Sequence, residues 1–311
     1  MNYNFTELTF PSADGKNTVY AELYTPKSVT ARGIVQLAHG MIDHPGRYKE
    51  LADYLTAHGY VFAGNHHLGH GRTARDPEDF GFFAERDGAE LLVKDMHTLN
   101  RYLRDTFPTL PLAVFGHSMG SFITRKYILE HPHSMRAAVI LGTSGPNPLV
   151  GMGIGVSKLL KKLYGPRHRS ELVRSLAFGS YNNRFPKEDG DSAWLTRDVA
   201  AVADRATDPY TSFTFTVSAY IDLFGMIGEV NSSAWFKGYP KELPTLIVSG
   251  EADPVGNYGK GPRKVYSELM LSGCSRVSLK LYPEARHELF NEFGREEFFI
   301  DLVSWLNGAL G

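Results

Sequence analysis

The chain has 311 residues, 42% hydrophobic and 22% charged, with a formal net charge of −1. That make-up belongs to a folded globular protein of one large or two smaller domains, and it excludes a disordered or disulfide-stapled chain. The balanced charge leaves no basic excess to attract nucleic acid. Cys274 is the sole cysteine, so no intrachain disulfide can form, which fits a reducing compartment. The opening Met1-Asn-Tyr-Asn-Phe-Thr6 lacks the basic-then-apolar pattern of a signal peptide, and no apolar run approaches a membrane span of ~20 residues. These features together point to a cytoplasmic enzyme.

Near the N-terminus, Thr6–Phe10 and Thr18–Tyr24 flank the turn cluster Ser12-Ala-Asp-Gly15 and predict a β-hairpin. Beyond Pro26, short apolar runs alternate with helical periodicity. Strands are expected at Ile34–Ala38, Tyr60–Ala63, Leu112–Phe115 and Ala137–Leu141. Between them, Tyr48, Leu51, Ala52 and Leu55 share one helical face, as do Leu92, Met96, Leu99 and Leu103, and a further helix runs from about Met119 to Leu129. Such alternation implies a mostly parallel sheet covered on both faces.

The alternation then lapses. About a hundred residues separate Leu141 from the next strand, Thr245–Val248, where one crossover unit needs only ~30. A structureless loop of that length is improbable in a compact domain. Helix-like pieces at Val156–Tyr164, Ser170–Leu176, Asp198–Ala206 and Phe213–Ile227 predict an inserted helical cap over residues 148–236, with the core formed by 1–147 and 237–311. A strand at Val277–Leu281 and a final helix burying Phe298, Leu302, Trp305 and Leu306 complete the core.

Gly116-His-Ser118-Met-Gly120 has the Gly-x-Ser-x-Gly spacing of a nucleophile elbow. A serine on a sharp strand-to-helix turn is crowded on both flanks, and only glycine relieves that crowding. Taken alone the pattern is weak. Its position between a predicted strand and a predicted helix strengthens it. A serine hydroxyl also needs an oriented base. In hydrolases with this elbow the partners follow in the order serine, acid, histidine. Asp253 follows the strand ending at Val248, with Glu251 as local competitor, and His287 follows the next strand. All three then emerge at one sheet edge, where ligands of open α/β sheets bind. Ser118, Asp253 and His287 are therefore the expected triad, with the backbone N–H groups of Met119 and Met41 as oxyanion donors. Gly40, before Met41, lets the backbone approach the substrate. His66-His67-Leu68-Gly69-His70 lacks metalloprotease spacing and is read as turn and hydrogen-bond structure. Asp95 and Asp222 are read as solvated or ion-paired residues on helix faces.

These residues resemble the monoacylglycerol lipase and lysophospholipase branch of the α/β-hydrolases. The resemblance rests on His39-Gly-Met-Ile-Asp43-His44-Pro-Gly-Arg47-Tyr48, Gly69-His70-Gly71, the elbow, and in the cap Gly179-Ser-Tyr-Asn182 and Trp194-Leu-Thr-Arg-Asp198. Where that branch usually carries Asp-His-Arg before the Gly-His-Gly turn, this chain has His66-His67-Leu68. The resemblance implies an α/β-hydrolase fold, the same triad and oxyanion donors, and hydrolysis of a small acylglycerol or related ester without cofactor or metal. Lysophospholipase, general carboxylesterase and proline-iminopeptidase-like activities share the scaffold, as does a non-catalytic small-molecule receptor. The apolar stretch Leu149–Leu163 reads either as a helix packed on the core or, with Gly151, Gly153 and Gly155 as hinges, as a mobile lid that lines an acyl tunnel and touches lipid interfaces transiently.

Overall fold

A computed structural model describes residues 3–187 and 190–311. Met1 and Asn2, which open the segment read for a signal peptide, lie outside the described residues. The hairpin forms as β1 (Tyr3–Pro11) and β2 (Thr18–Pro26), antiparallel, with Tyr3 opposite Pro26 and Pro11 opposite Thr18. Its turn closes because Asp14 Oδ1 accepts the backbone N–H groups of Lys16 and Asn17, each at 2.8 Å.

The alternating part runs β3 (Gly33–Ala38), α1 (Lys49–Ala57), β4 (Tyr60–Asn65), α2 (Gly88–Thr106), β5 (Leu112–His117), α3 (Met119–Glu130) and β6 (Ala137–Leu141). The insertion follows, with α4 (Val150–Tyr164), α5 (Glu171–Phe178), α6 (Val199–Thr207), α7 (Val217–Val230) and α8 (Ser233–Gly238). Then come β7 (Thr245–Gly250), α9 (Lys260–Leu271), β8 (Val277–Tyr282) and α10 (Arg295–Leu310). The eight strands form one sheet in the order β1-β2-β4-β3-β5-β6-β7-β8, parallel from β4 to β8. Every residue of β3, β4, β5 and β7 is buried, because helices cover both faces. Ile34, Val114 and Ile140 point into the layer of α2, α3 and α9, whereas Val35, Phe115 and Val139 point toward α1 and α10. Each such side chain contributes about 1.5–3 kcal/mol on burial, so strand register is tightly specified.

The insertion departs from expectation in three places. Helix α4 begins at Val150 rather than Val156, so Gly151, Gly153 and Gly155 lie inside a helix and are not hinges at its edge. Glycine disfavours a helix interior, but at position 153 its bareness is used: a Cβ there would sit 2.8 Å from Phe224 Cε2 on α7. Helix α7 starts at Val217, capped by Thr216, whose hydroxyl accepts the Ala219 N–H, and the phenylalanines before it are coil. Short helix α8 has too few residues for a periodicity signal. Its Trp235 is buried, with the indole N–H donated to Arg125 O at 2.8 Å.

Asp95 is buried rather than solvated, and Asp222 is half-buried. Asp95 on α2 is buried and accepts Ser12 Oγ at 2.8 Å and Ala13 N–H at 2.7 Å, tying the hairpin turn to the helix. Asp222 on α7 is turned onto the N-terminus of α2, facing the backbone N–H groups of Gly88 and Ala89. Periodicity puts both on helix faces but does not say which neighbour covers the face. Burial pushes the Asp95 carboxyl up to about 6, against its two hydrogen bonds. A carboxyl raised in the folded state binds its proton more tightly there, so its contribution to stability is present at low pH and is lost as pH rises through the window from about 4 to 6. Asp95→Asn removes that loss. Its Tm relative to wild type should climb between pH 4 and pH 7, by the equivalent of about 1–3 kcal/mol. A constant gap across that range would show that Asp95 does not titrate in this way.

Candidate active site

Strand β5 ends at His117 and α3 begins at Met119, leaving Ser118 alone at the turn with φ 54° and ψ −120°. A non-glycine residue held there costs about 1–3 kcal/mol and persists only where its surroundings enforce it. The enforcement is close packing. A Cβ on Gly120 would lie 1.8 Å from Ala38 O, and one on Gly116 would lie 2.4 Å from Gly120 O. The Ser118 N–H is donated to Leu141 O at 2.9 Å, which ties the turn to β6.

The loops after β7 and β8 bring Asp253 and His287 together, with Nδ1 of the imidazole 2.9 Å from Asp253 Oδ2. Asp253 is fully buried and also accepts Val255 N–H at 2.8 Å. Glu251 instead points outward, 44% exposed, and pairs with Arg263 at 3.2 Å. With Nδ1–H committed to Asp253, Nε2 of His287 is left as the free acceptor, buried and without a hydrogen-bond partner. Ser118 and His287 line one cavity.

Met41 and Met119 line the same cavity. Gly40 packs directly behind the serine, where an added Cβ would be 3.3 Å from Ser118 Cβ. His39 shapes this loop: its Nδ1 lies 2.8 Å from Gly40 O, and its Nε2 accepts the His67 N–H at 3.1 Å. The neighbouring histidines are similarly occupied, His70 Nδ1 with Leu68 O at 3.0 Å and His66 Nε2 with Glu22 at 3.3 Å.

Sequence reasoning assigned no task to Asp43, His44, Arg47 and Tyr48, although all four stand in the motif. The Tyr48 hydroxyl donates to Asp43 Oδ2 at 2.7 Å and lies 2.8 Å from Nδ1 of His117, the residue before the serine. Arg47 meets Glu288 with both terminal nitrogens, at 2.9 and 2.8 Å, and Asp43 at 3.1 Å. Burial acts to raise the Glu288 carboxyl, but the Arg47 guanidinium outweighs it and holds the group well below the usual carboxylate range. His44 reaches the insertion, with Nε2 2.7 Å from Asp208. Burial, aided by His287, pushes His117 down to about 4, so it stays neutral at pH 7. One signal did precede the structure: three charged or polar residues and a tyrosine clustered within ten positions of a strand end.

The cavity over Ser118 measures about 180 Å³, somewhat more than the ~150 Å³ that holds a benzene molecule. Its far wall is apolar, built from Phe122, Val150, Leu223, Phe224 and Ile227. The family model described as Serine aminopeptidase, S33 (Hydrolase_4) matches residues 29–294. The chain belongs to that family. The monoacylglycerol lipase of Mycolicibacterium smegmatis is 30% identical over 304 residues, covering 97% of this chain and 96% of that protein. The monoglyceride lipase of Homo sapiens is 25% identical over 307 residues, covering 95% and 88%. A thermostable carboxyl esterase from Bacillus coagulans, solved in complex with glycerol, superposes with a TM-score of 0.92 at 32% identity over 99% of both chains. The mostly parallel α/β-hydrolase sheet read from the sequence is the sheet observed in this chain, and the esterase superposes on it. Among the described residues no helix is long and apolar enough to cross a membrane.

Because the contact behind the elbow is backbone against backbone, no side chain can move to relieve it. Gly120→Ala should cost about 3 kcal/mol or more. Thermal unfolding would read this directly, and a variant melting within a degree or two of wild type would show that the elbow tolerates a side chain.

Proposed function

We propose that the chain is a serine ester hydrolase of the monoacylglycerol lipase type, with Ser118 as nucleophile, His287 as general base and Asp253 as its orienting acid. The observation that carries this reading is a buried Asp253–His287 pair whose imidazole lines the same cavity as a strained serine. The two lipase relatives and the esterase neighbour support the choice of ester. His287 Nε2 takes the Ser118 proton as the oxygen attacks the ester carbonyl. The Met41 and Met119 N–H groups receive the oxyanion, and the imidazolium returns its proton to the departing alcohol. Water, deprotonated by the same imidazole, then releases the acid. Nothing in this sequence of steps calls for a metal or cofactor. We place the enzyme in the cytoplasm.

An aminopeptidase reading, which the family's description raises, needs an unpaired acid to receive the substrate's amine. Among the described residues, the acids lining the cavity, Asp43 and Glu288, both lie on Arg47. Ester hydrolysis is therefore the better fit. A substrate panel of monoacylglycerols, lysophospholipids, short nitrophenyl esters and aminoacyl amides tests it. Preferred turnover of the amides would overturn it, while preference for lysophospholipids would move the head group. Ser118→Ala should abolish turnover and fluorophosphonate labelling with the fold intact, a loss of several powers of ten. Asp253→Asn should be crippling and Glu251→Gln mild. The reverse order would reassign the acid.

Residues 148–236 act in this proposal as a cap whose first helix is the acyl lid and the lipid-facing surface. Val150, Ile154 and Leu160 of α4 pack inward, whereas Leu149, Met152, Leu159 and Leu163 are each at least half exposed. Met152 is both exposed and part of the cavity wall. Met152→Asp thus separates acyl binding from folding better than a change at the inward-packed Val156 or Leu160. Each chain methylene it leaves unburied forfeits about 0.8 kcal/mol, so kcat/KM should fall about tenfold or more on long-chain monoacylglycerols while acetate esters are spared. Equal losses on both would return α4 to plain packing.

A further inference from the structure

The histidine loop after β8 does not stand alone. The strap Ala193–Thr196 of the insertion, a run of turns, lies against it: His287 N–H is donated to Trp194 O at 3.4 Å and Glu288 N–H to Leu195 O at 2.7 Å. The strap carries Trp194, whose ring centre is 5.0 Å from that of His287 and which lines the cavity. Arg286, buried, donates to Ala193 O at 2.6 Å from the opposite side.

Behind both segments lies Glu292, 2% exposed and absent from the cavity wall. Its Oε2 accepts the Arg286 N–H at 2.7 Å, on the residue just before His287. Its Oε1 accepts the Arg197 N–H at 3.0 Å, Arg197 Nε at 3.1 Å and the Phe293 N–H at 2.9 Å. One oxygen therefore grips the histidine loop and the other grips the end of the strap. Thr196 adds a bond from its hydroxyl to Asn291 O at 2.8 Å. A buried carboxylate is costly unless its lone pairs are filled, and here they are filled by N–H groups from the two segments whose relative position sets His287 against Trp194.

We infer that Glu292 is a positioning residue: it couples the insertion to the base by fixing the Arg286–Glu288 backbone against the Trp194 strap, an inference that rests on His287 being the base. Glu292 touches neither the substrate cavity nor the imidazole, and it acts only through the backbone on either side.

Glu292→Gln cuts one arm. With its amide oxygen toward Arg197 and Phe293 the glutamine keeps those bonds, but its NH₂ then meets the Arg286 N–H, donor against donor. In the folded variant kcat on a short ester should fall about 10- to 100-fold, as for a small misplacement of a reacting group, with KM changed less than about threefold. The low-field NMR resonance of the His287 Nδ1–H, assigned by its absence from Asp253→Asn, should broaden or move upfield. Loss of stability alone would not do this in the folded fraction. Unchanged kcat and an unchanged resonance in folded Glu292→Gln overturn the inference. Should that variant not fold, Arg197→Met decides: its side chain is part-exposed, and it should still perturb the resonance and lower kcat about three- to tenfold. An unperturbed resonance there overturns the inference equally. Because the resonance needs no turnover, a shifted signal in an enzyme that hydrolyses no ester would sink the ester reading and leave the coupling standing.

Discussion

Gly120 pressed against the carbonyl of Ala38 is the contact on which the rest of this site depends. It forces the chain from β5 into α3 within a single residue and leaves Ser118 with a positive φ that its own side chain disfavours. That conformation is tolerable because β3, β5 and β6 are parallel neighbours fully buried on both faces, so the turn cannot relax without breaking sheet packing. The sheet supplies rigidity, and the strain is spent in projecting one hydroxyl into a cavity.

Around that point the chain builds a polar scaffold in an apolar setting. Asp43, Arg47, Tyr48, His117 and Glu288 form a connected group in which each charge has an opposite charge or a donor beside it. An unpaired member would be expensive in so dry a place, which is why these residues come as a set. Asp253 and Glu292 follow the same rule on the other side, filled by backbone N–H groups rather than by free solvent. Two apolar walls, from the core and from α4 and α7, then close over the serine. The insertion is pinned to the core by His44–Asp208 and by Arg197–Glu292, so the proposed lid and the proposed base share supports.

Much of this is legible in the sequence. Strands buried on two faces are near-continuous apolar runs, and amphipathic helices show their period, so β3 to β7 and α1 to α3 fall where the pattern puts them, while β8, a partly exposed edge strand, shows as an alternating run. The elbow and the Asp253 and His287 loops were legible for a related reason: each sits at a strand end, where one-dimensional order translates directly into one edge of a sheet. The insertion was harder to read. Its helix α4 carries three glycines against their propensity, of which only Gly153 is closely packed, and α8 is too short to show a period.

What the amino-acid order determines by itself is therefore local: which segments are strands or helices, that the sheet is mostly parallel, and that a serine, an acid and a histidine stand at its edge. What only the tertiary structure decides is which polar side chain finds which partner. Asp95 looks like a solvated helix residue and is a buried clamp on a hairpin turn 82 positions away. Glu292, one acid among 34 acidic residues, holds a strap 95 positions earlier in the chain. Periodicity reports that a face is buried but carries no information about what buries it, because hydrogen-bond partners of that separation are chosen by packing.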